Sequence, residues 1–401
     1  MTKAALRDVP GCGRGLVATQ LIQAGETIAV HEPLVAVVSP VWFEYVCVGC
    51  FASAYPRKWP LACPGACRGH AHFCSKACQE ATGSNKHVPD SAACWVMRRL
   101  NVHLCEEDKD GGTATTDWTA VAAALMLQAL VASFESEKEN EDTAVSDLVK
   151  EDGKLWLSLM QLCCLEGKDV GADLAEEIEG VVEVVVACRD AAVRVLKDGS
   201  LGIPSLLLAA QIKLKARNVI VATRARALLL RSECNAFSYW SSDGAQDQFG
   251  LGLFLEAAMY NHTCSPNVGK ILRGRTMCFV ALCAIEPGEE LRICYVGLDE
   301  DRATRRGILK THFHFDCACE RCAKEVAGKE GGAENMENGR KEEAAYVKAW
   351  AHKGCGGVWV PPEKQGGVGD GGAAGSAGVE AGESHCSLCN ASKRTYDAMN
   401  Q

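Results

Sequence analysis

Short apolar runs separated by glycine-bearing turns open the chain. Residues 16–18 (Leu-Val-Ala), 27–30 (Thr-Ile-Ala-Val) and 34–38 (Leu-Val-Ala-Val-Val) are aliphatic or β-branched, and Gln23-Ala24-Gly25-Glu26 stands between the first two. Runs of this length bounded by turn residues predict strands. The pattern returns at 277–284 and 291–295, with Glu286-Pro287-Gly288-Glu289 between them. The stretch 95–233 has a different period. Segments 120–134, 155–165, 174–195 and 205–231 carry apolar residues at helical spacing with few breakers, which predicts helices. The acidic run 135–142 reads as a solvated loop. Residues 47–94 are dense in cysteine and histidine and poor in aliphatics, so metal must hold what no ordinary core can. Beyond Cys322 the chain is acidic and glycine-rich, and 366–382 reads as low-complexity linker.

A length of 401 residues suggests two or three domains, and 48% hydrophobic with 23% charged residues describes a globular protein. The formal charge of -9 argues against naked nucleic acid as main partner. Met1-Thr2-Lys3-Ala4 leads into polar sequence without the apolar stretch of a secretion signal. The run 120–134 is interrupted by Gln128 and falls short of the roughly 20 residues of a membrane span. No membrane association is expected. The 23 cysteines fall largely into paired spacings, which points to metal ligation in a reducing compartment, cytoplasmic and/or nuclear. Cysteines outside those spacings, among them Cys12, Cys278, Cys283 and Cys294, read as small buried hydrophobes.

The first cluster runs Cys47-x2-Cys50-x12-Cys63-x3-Cys67-x6-Cys74-x3-Cys78-x8-His87-x6-Cys94. These soft ligands suit two closed tetrahedral sites, and His70 or His72 could replace one of them. Cys317-x-Cys319-x2-Cys322 is one ligand short of a tetrahedron. Cys264 is the natural candidate to close it, which would pin the Asn261-His262 turn to the segment after Tyr295. In the tail, His352-x2-Cys355 and Cys386-x2-Cys389 could form a further zinc ribbon.

Asn261-His262-Thr263-Cys264-Ser265-Pro266-Asn267, Gly288-Glu289-Glu290-Leu291-x3-Tyr295, and Gly13-Arg14-Gly15-Leu16 with Gly25-Glu26 resemble, in their order, the motifs of SET-domain lysine methyltransferases. Phe73-Cys74-Ser75-x2-Cys78-Gln79 is similar to the core of a MYND zinc finger. The resemblance to the SET- and MYND-domain family implies an α+β fold. Its mostly β SET catalytic core would comprise 1–46 and 234–310, interrupted by a MYND-type finger at 47–94 and a helical insert at 95–233. A post-SET zinc segment at 311–325 and a tail at 326–401 would follow. In that family alternate ligand pairs share a zinc, so Cys47, Cys50, Cys74 and Cys78 would hold one ion and Cys63, Cys67, His87 and Cys94 another. With the Cys264, Cys317, Cys319 and Cys322 site, three zinc ions are expected, and a fourth if the tail ribbon forms.

The implied activity is S-adenosylmethionine-dependent methylation of lysine on a protein substrate, histone or non-histone. The finger would recruit a partner such as a proline-containing peptide. The rival reading from another class is a non-catalytic zinc-finger adaptor. By the same resemblance, Gly13, Arg14 and Gly15 approach the cofactor's methionine moiety, where a Cβ would obstruct. Asn261 and His262 hold its amino and adenine groups, and Phe315 stacks on adenine. Asn235, Phe237 and Phe313 would line the lysine channel, Phe313 standing where close relatives often have a tyrosine. Tyr295 would be catalytic: methyl transfer from a sulfonium to an amine is an in-line displacement, so alignment is the main task. Read without the resemblance, Asn261-His262 is a polar turn, and Tyr295 and Phe237 are core aromatics.

Overall fold

A computed structural model describes residues 3–81 except 66 and 68, residues 218–330 except 242–246, the pieces 351–352, 357–361 and 384–386, and positions 87, 94, 162, 172, 175–176, 178–182 and 185. The predicted segments 120–134 and 155–165 (Leu162 apart), the acidic run, the linker 366–382, and Cys355 and Cys389 of the tail lie outside the described residues. The strands are β1 (Ala4–Val9), β2 (Gly13–Ala18), β3 (Thr27–His31), β4 (Val35–Val38), β5 (Leu61–Ala62), β6 (His72–Phe73), β7 (Ala236–Trp240) and β8 (Gln248–Leu253). They continue with β9 (Asn261–His262), β10 (Val268–Arg273), β11 (Thr276–Ala281), β12 (Arg292–Ile293), β13 (Ala351–His352), β14 (Gly357–Val360) and β15 (His385–Cys386). The helices are α1 (Lys76–Glu80), α2 (Asn218–Asn235), α3 (Arg302–Phe313) and α4 (Glu320–Glu330).

The chain divides into two compact units. The first comprises residues 1–32, 240–247 and 256–401. Its β1 and β2 form an antiparallel hairpin in which Val9 faces Gly13, and β10, β11 and β3 form an antiparallel sheet in that order. Two turns of like sequence organise it. At Gln23-Ala24-Gly25-Glu26 and at Glu286-Pro287-Gly288-Glu289 the fourth residue's N–H donates to the first residue's carbonyl at 3.0 Å. In both, the fourth residue's carboxylate accepts from the first residue's N–H. The glycines stand at φ 78 and 86, the left-handed region a type II turn demands at that position. Beyond the second turn, Glu289 and Leu291 pair with β2: Ala18 N–H donates to Glu289 O at 2.9 Å and Leu291 N–H to Leu16 O at 2.8 Å. The core gathers Cys278, Val280, Leu282, Cys294 and Leu298, closed by Val358 and Val360 of β14.

Two expectations are corrected here. Of the predicted strand 291–295 only β12 forms, pairing in parallel with β9. The ladder stops because the Tyr295 N–H donates to the His262 ring rather than to a neighbouring strand. Cys278 and Cys294 are buried, but Cys12 and Cys283 are exposed, because both sit in turns.

The second unit comprises residues 33–239 and 248–255. Its sheet runs β4-β8-β7, with every residue of β4 buried, as its unbroken aliphatic run requires. The β5–β6 hairpin and α1 carry the cysteine-rich segment. The Ser75 side chain caps α1 by accepting from Cys78 N–H, which sets two of the cluster's cysteines one helical turn apart.

Candidate active site and metal centres

Three segments distant in sequence meet inside the first unit. The parallel β9–β12 pairing sets Asn261 beside Arg292 and His262 beside Ile293. The Asn261 amide nitrogen lies 3.1 Å from the Arg14 carbonyl and 2.8 Å from a Glu290 carboxylate oxygen. Asn267 closes the other side of the turn. Its amide nitrogen donates to Glu290 O at 2.8 Å and Glu289 Oε1 at 3.1 Å, and its oxygen accepts from Arg292 N–H at 2.8 Å. Both asparagines of the 261–267 stretch thus fasten onto the Glu289-Glu290 pair.

His262 joins this turn to Tyr295. Its Nδ1 accepts from the Tyr295 N–H at 3.1 Å, so in the neutral ring the proton sits on Nε2, facing Cys264 Sγ at 3.4 Å. Burial pushes its pKa down to about 4, against the pull of Cys319. The ring is a neutral clamp at ordinary pH. Tyr295 donates its hydroxyl proton to the Tyr260 carbonyl at 2.6 Å, leaving the phenolic oxygen's lone pairs to accept. Phe313 packs 4.8 Å from Tyr295, and Phe315 lies 5.8 Å from the His262 ring, centroid to centroid. Tyr260 is itself stacked on Phe279 at 4.1 Å.

The ligand atoms of Cys264, Cys317, Cys319 and Cys322 lie within 4.8 Å of one another. Cys264 Sγ is 3.9 Å from Cys317 Sγ and 3.7 Å from Cys322 Sγ. A zinc–sulfur bond of about 2.3 Å implies tetrahedral edges of about 3.8 Å, so this donor set fits zinc. The α3 and α4 helices frame it. Arg305, its side chain fully buried, sets one guanidinium nitrogen 2.7 and 2.8 Å from the two Glu325 carboxylate oxygens, while Arg321 donates to the carbonyls of Cys264 and Leu298. A tetrathiolate zinc carries a net double negative charge, and two guanidiniums set against one carboxylate offset part of it.

The second unit holds two further tetrads, Cys47, Cys50, Cys74 and Cys78, and Cys63, Cys67, His87 and Cys94. Sulfur separations of 3.4 Å (Cys74–Cys78), 3.6 Å (Cys50–Cys74) and 3.8 Å (Cys63–Cys94) again suit zinc, and His87 Nε2 lies 3.4 Å from Cys63 Sγ. Neither His70 nor His72 enters a tetrad. Asn235 and Phe237 belong to this unit. Asn235 spends its amide nitrogen on Arg231 O at 2.6 Å, and Phe237 packs edge-on to Phe254 at 5.6 Å. His352 and Cys386 fall on β13 and β15, the two strands flanking β14. Sequence reasoning assigned no role to Tyr260, Glu290, Arg305 or Arg321. Tyr260, Glu290 and Arg321 adjoin or lie within the motifs already recognised, but their contacts depend on pairings that no local pattern encodes.

A SET-domain family model matches residues 13–296, most of the chain. A potential protein lysine methyltransferase of Saccharomyces cerevisiae, SET6, is 41% identical over 23% of this chain and 26% of its own length. A SET and MYND domain-containing protein of Dictyostelium discoideum is 30% identical over 29% of this chain and 28% of its own. The N-lysine methyltransferase SMYD2-B of Danio rerio is 23% identical over 78% of this chain and 58% of its own. The chain spans less than two thirds of each of these relatives. A crystal structure of the SET domain of LSMT bound to lysine and AdoHcy aligns with 80% of this chain and 54% of its own, at 13% identity and a TM-score of 0.27. The family match, not that superposition, carries weight.

Proposed function

The chain belongs to the SET-domain family, and from that premise we propose that it is an S-adenosylmethionine-dependent protein-lysine N-methyltransferase. One observation carries the reading: the family match spans 13–296, and within it Gly13–Gly15, Asn261-His262 and Tyr295 converge through directed hydrogen bonds. The cofactor would supply an electrophilic methyl group on a sulfonium. Asn261, His262 and the Gly13–Gly15 backbone would hold it, with Phe315 against its adenine. The incoming lysine amine has an ordinary pKa of about 10.4 and is nucleophilic only when neutral, a form that an apolar enclosure favours. Tyr295 suits the alignment of that amine. Its proton is committed to Tyr260 O, so its oxygen can accept from the amine and fix the direction of its lone pair. Phe313, in contact with Tyr295, supplies an apolar wall without a second hydroxyl.

Relatives carry both histone-lysine and N-lysine methyltransferase names, so the substrate proposed is a protein lysine, histone or non-histone. The cysteine tetrads of the second unit, which hold none of these cofactor residues, are proposed to serve partner or substrate choice, with a proline-containing peptide as the partner class. The deciding experiment measures S-adenosylmethionine binding and single-turnover methyl transfer to a protein array, for wild type and Tyr295→Phe. Losing an orienting hydrogen bond in the transition state costs on the order of 2–4 kcal/mol, so the rate should fall by roughly two to three decades with cofactor affinity intact. A wild-type rate in the variant would make Tyr295 a packing residue, whereas no S-adenosylmethionine binding and no methyl transfer by the wild type would overturn the reading.

A further inference from the structure

We propose that Glu290 is a positioning residue that sets the orientation of the Asn261 amide and thereby selects a nucleoside ligand bearing a free α-ammonium group. The inference rests on the cofactor reading above and adds a residue to it. The Asn261 amide nitrogen faces two groups that can only accept, the Arg14 carbonyl at 3.1 Å and the Glu290 carboxylate at 2.8 Å. Both amide protons are therefore spent inside the protein, and Asn261 Oδ1, an acceptor alone, is what the amide has left to offer. Turning the amide over would set that oxygen against a carboxylate and a carbonyl. The negative charge of Glu290 forbids it.

The fit leaves little slack. A Cβ on Gly15 would come within 2.6 Å of the Asn261 amide nitrogen and 2.8 Å of the Glu290 carboxylate. The Glu290 main chain is held by its bridge to Val17 and by Asn267, which donates to its carbonyl. Its second carboxylate oxygen has Arg292 Nε at 3.8 Å, on a side chain 36% exposed, so the charge is only loosely countered there. An oxygen held in this way accepts from an ammonium group. A neutral Gln at 290 would lose this control, since its own amide can donate to Asn261 Oδ1 and stabilise the overturned form.

The test compares two ligands by titration calorimetry on the full chain, wild type against Glu290→Gln. S-adenosylhomocysteine carries the α-ammonium, and 5′-methylthioadenosine keeps the nucleoside thioether without it. Expected is a loss of about tenfold in S-adenosylhomocysteine affinity, the scale of one charge-assisted hydrogen bond, with methylthioadenosine affinity unchanged. Equal losses for both ligands, or none for either, would overturn the proposal. Glu290→Asp, which withdraws the carboxylate by one methylene, should show the same ligand-selective loss. Unfolding of both variants, read by circular dichroism, would make Glu290 a stability residue and also overturn it. Failure of the wild-type protein to bind S-adenosylhomocysteine would instead sink the cofactor reading, a result separable from any change at position 290.

Discussion

Gly15 has no room for a side chain: an added Cβ would come within 2.9 Å of Val9 as well as meeting Asn261 and Glu290. Gly15→Ala should therefore push the start of β2 away from Asn261. Overpacking of this kind costs about 1–3 kcal/mol, seen as a lower Tm, together with loss of the Tm increase that S-adenosylhomocysteine should give the wild type. His31 makes a second prediction at this scale. Its ring is edge-on to Tyr260 and Phe279, its Nδ1 lies 2.9 Å from Glu256, and its Nε2 is buried without a partner. Burial lowers its pKa, more than Glu256 raises it. The folded state then holds the proton less tightly than the unfolded state. The associated stability is complete above a pH of about 6.5 and is lost as the pH falls through the lowered folded value. Denaturation midpoints measured from pH 7 to pH 4 should fall more steeply in wild type than in His31→Phe.

Among the elements, Asn267 does what a longer ladder would otherwise do. Its side chain replaces backbone pairing between the 261–267 turn and the 289–292 segment, accepting from Arg292 N–H and donating to Glu290 O. Asn267→Ala leaves those two groups unpaired in a partly buried place and should lower stability by about 1–3 kcal/mol in urea titration. The α3–α4 pair is held likewise by Arg305, Glu325 and Arg321 beside the Cys264 tetrad. Arg305→Met removes one cation from a site whose zinc complex is anionic. Release of one zinc per chain to a chromophoric chelator should become faster, while the other ions keep their wild-type rates. Asp301 caps α3 by accepting from the Thr304 N–H. The role of Arg305 was not legible in the sequence, because a basic residue on an amphipathic helix ordinarily faces water.

For the molecule as a whole, zinc content is the sharpest expectation. The described residues hold three tetrads, two in the second unit and one in the first. Elemental analysis should find at least three zinc ions per chain, and Cys264→Ser should lose one. One ion or none in the wild type would overturn the metal assignments. A fourth ion would place His352, Cys355, Cys386 and Cys389 in a ribbon. The sequence by itself determined the chemical types and the local turns. The cysteine spacings, the two Gly-Glu turns and the β-branched runs each act through neighbours a few residues away, so they could be read without a fold. Only the tertiary structure decided which distant groups face one another. Asn261 meets Arg14 across 247 positions, and Cys264 reaches Cys322 across 58. The proton position on His262 and the donors of Asn261 follow from those encounters. The physical reason is that propensity and spacing are local, whereas register between strands is set by packing, and a one-residue slip would turn every side chain to the opposite face.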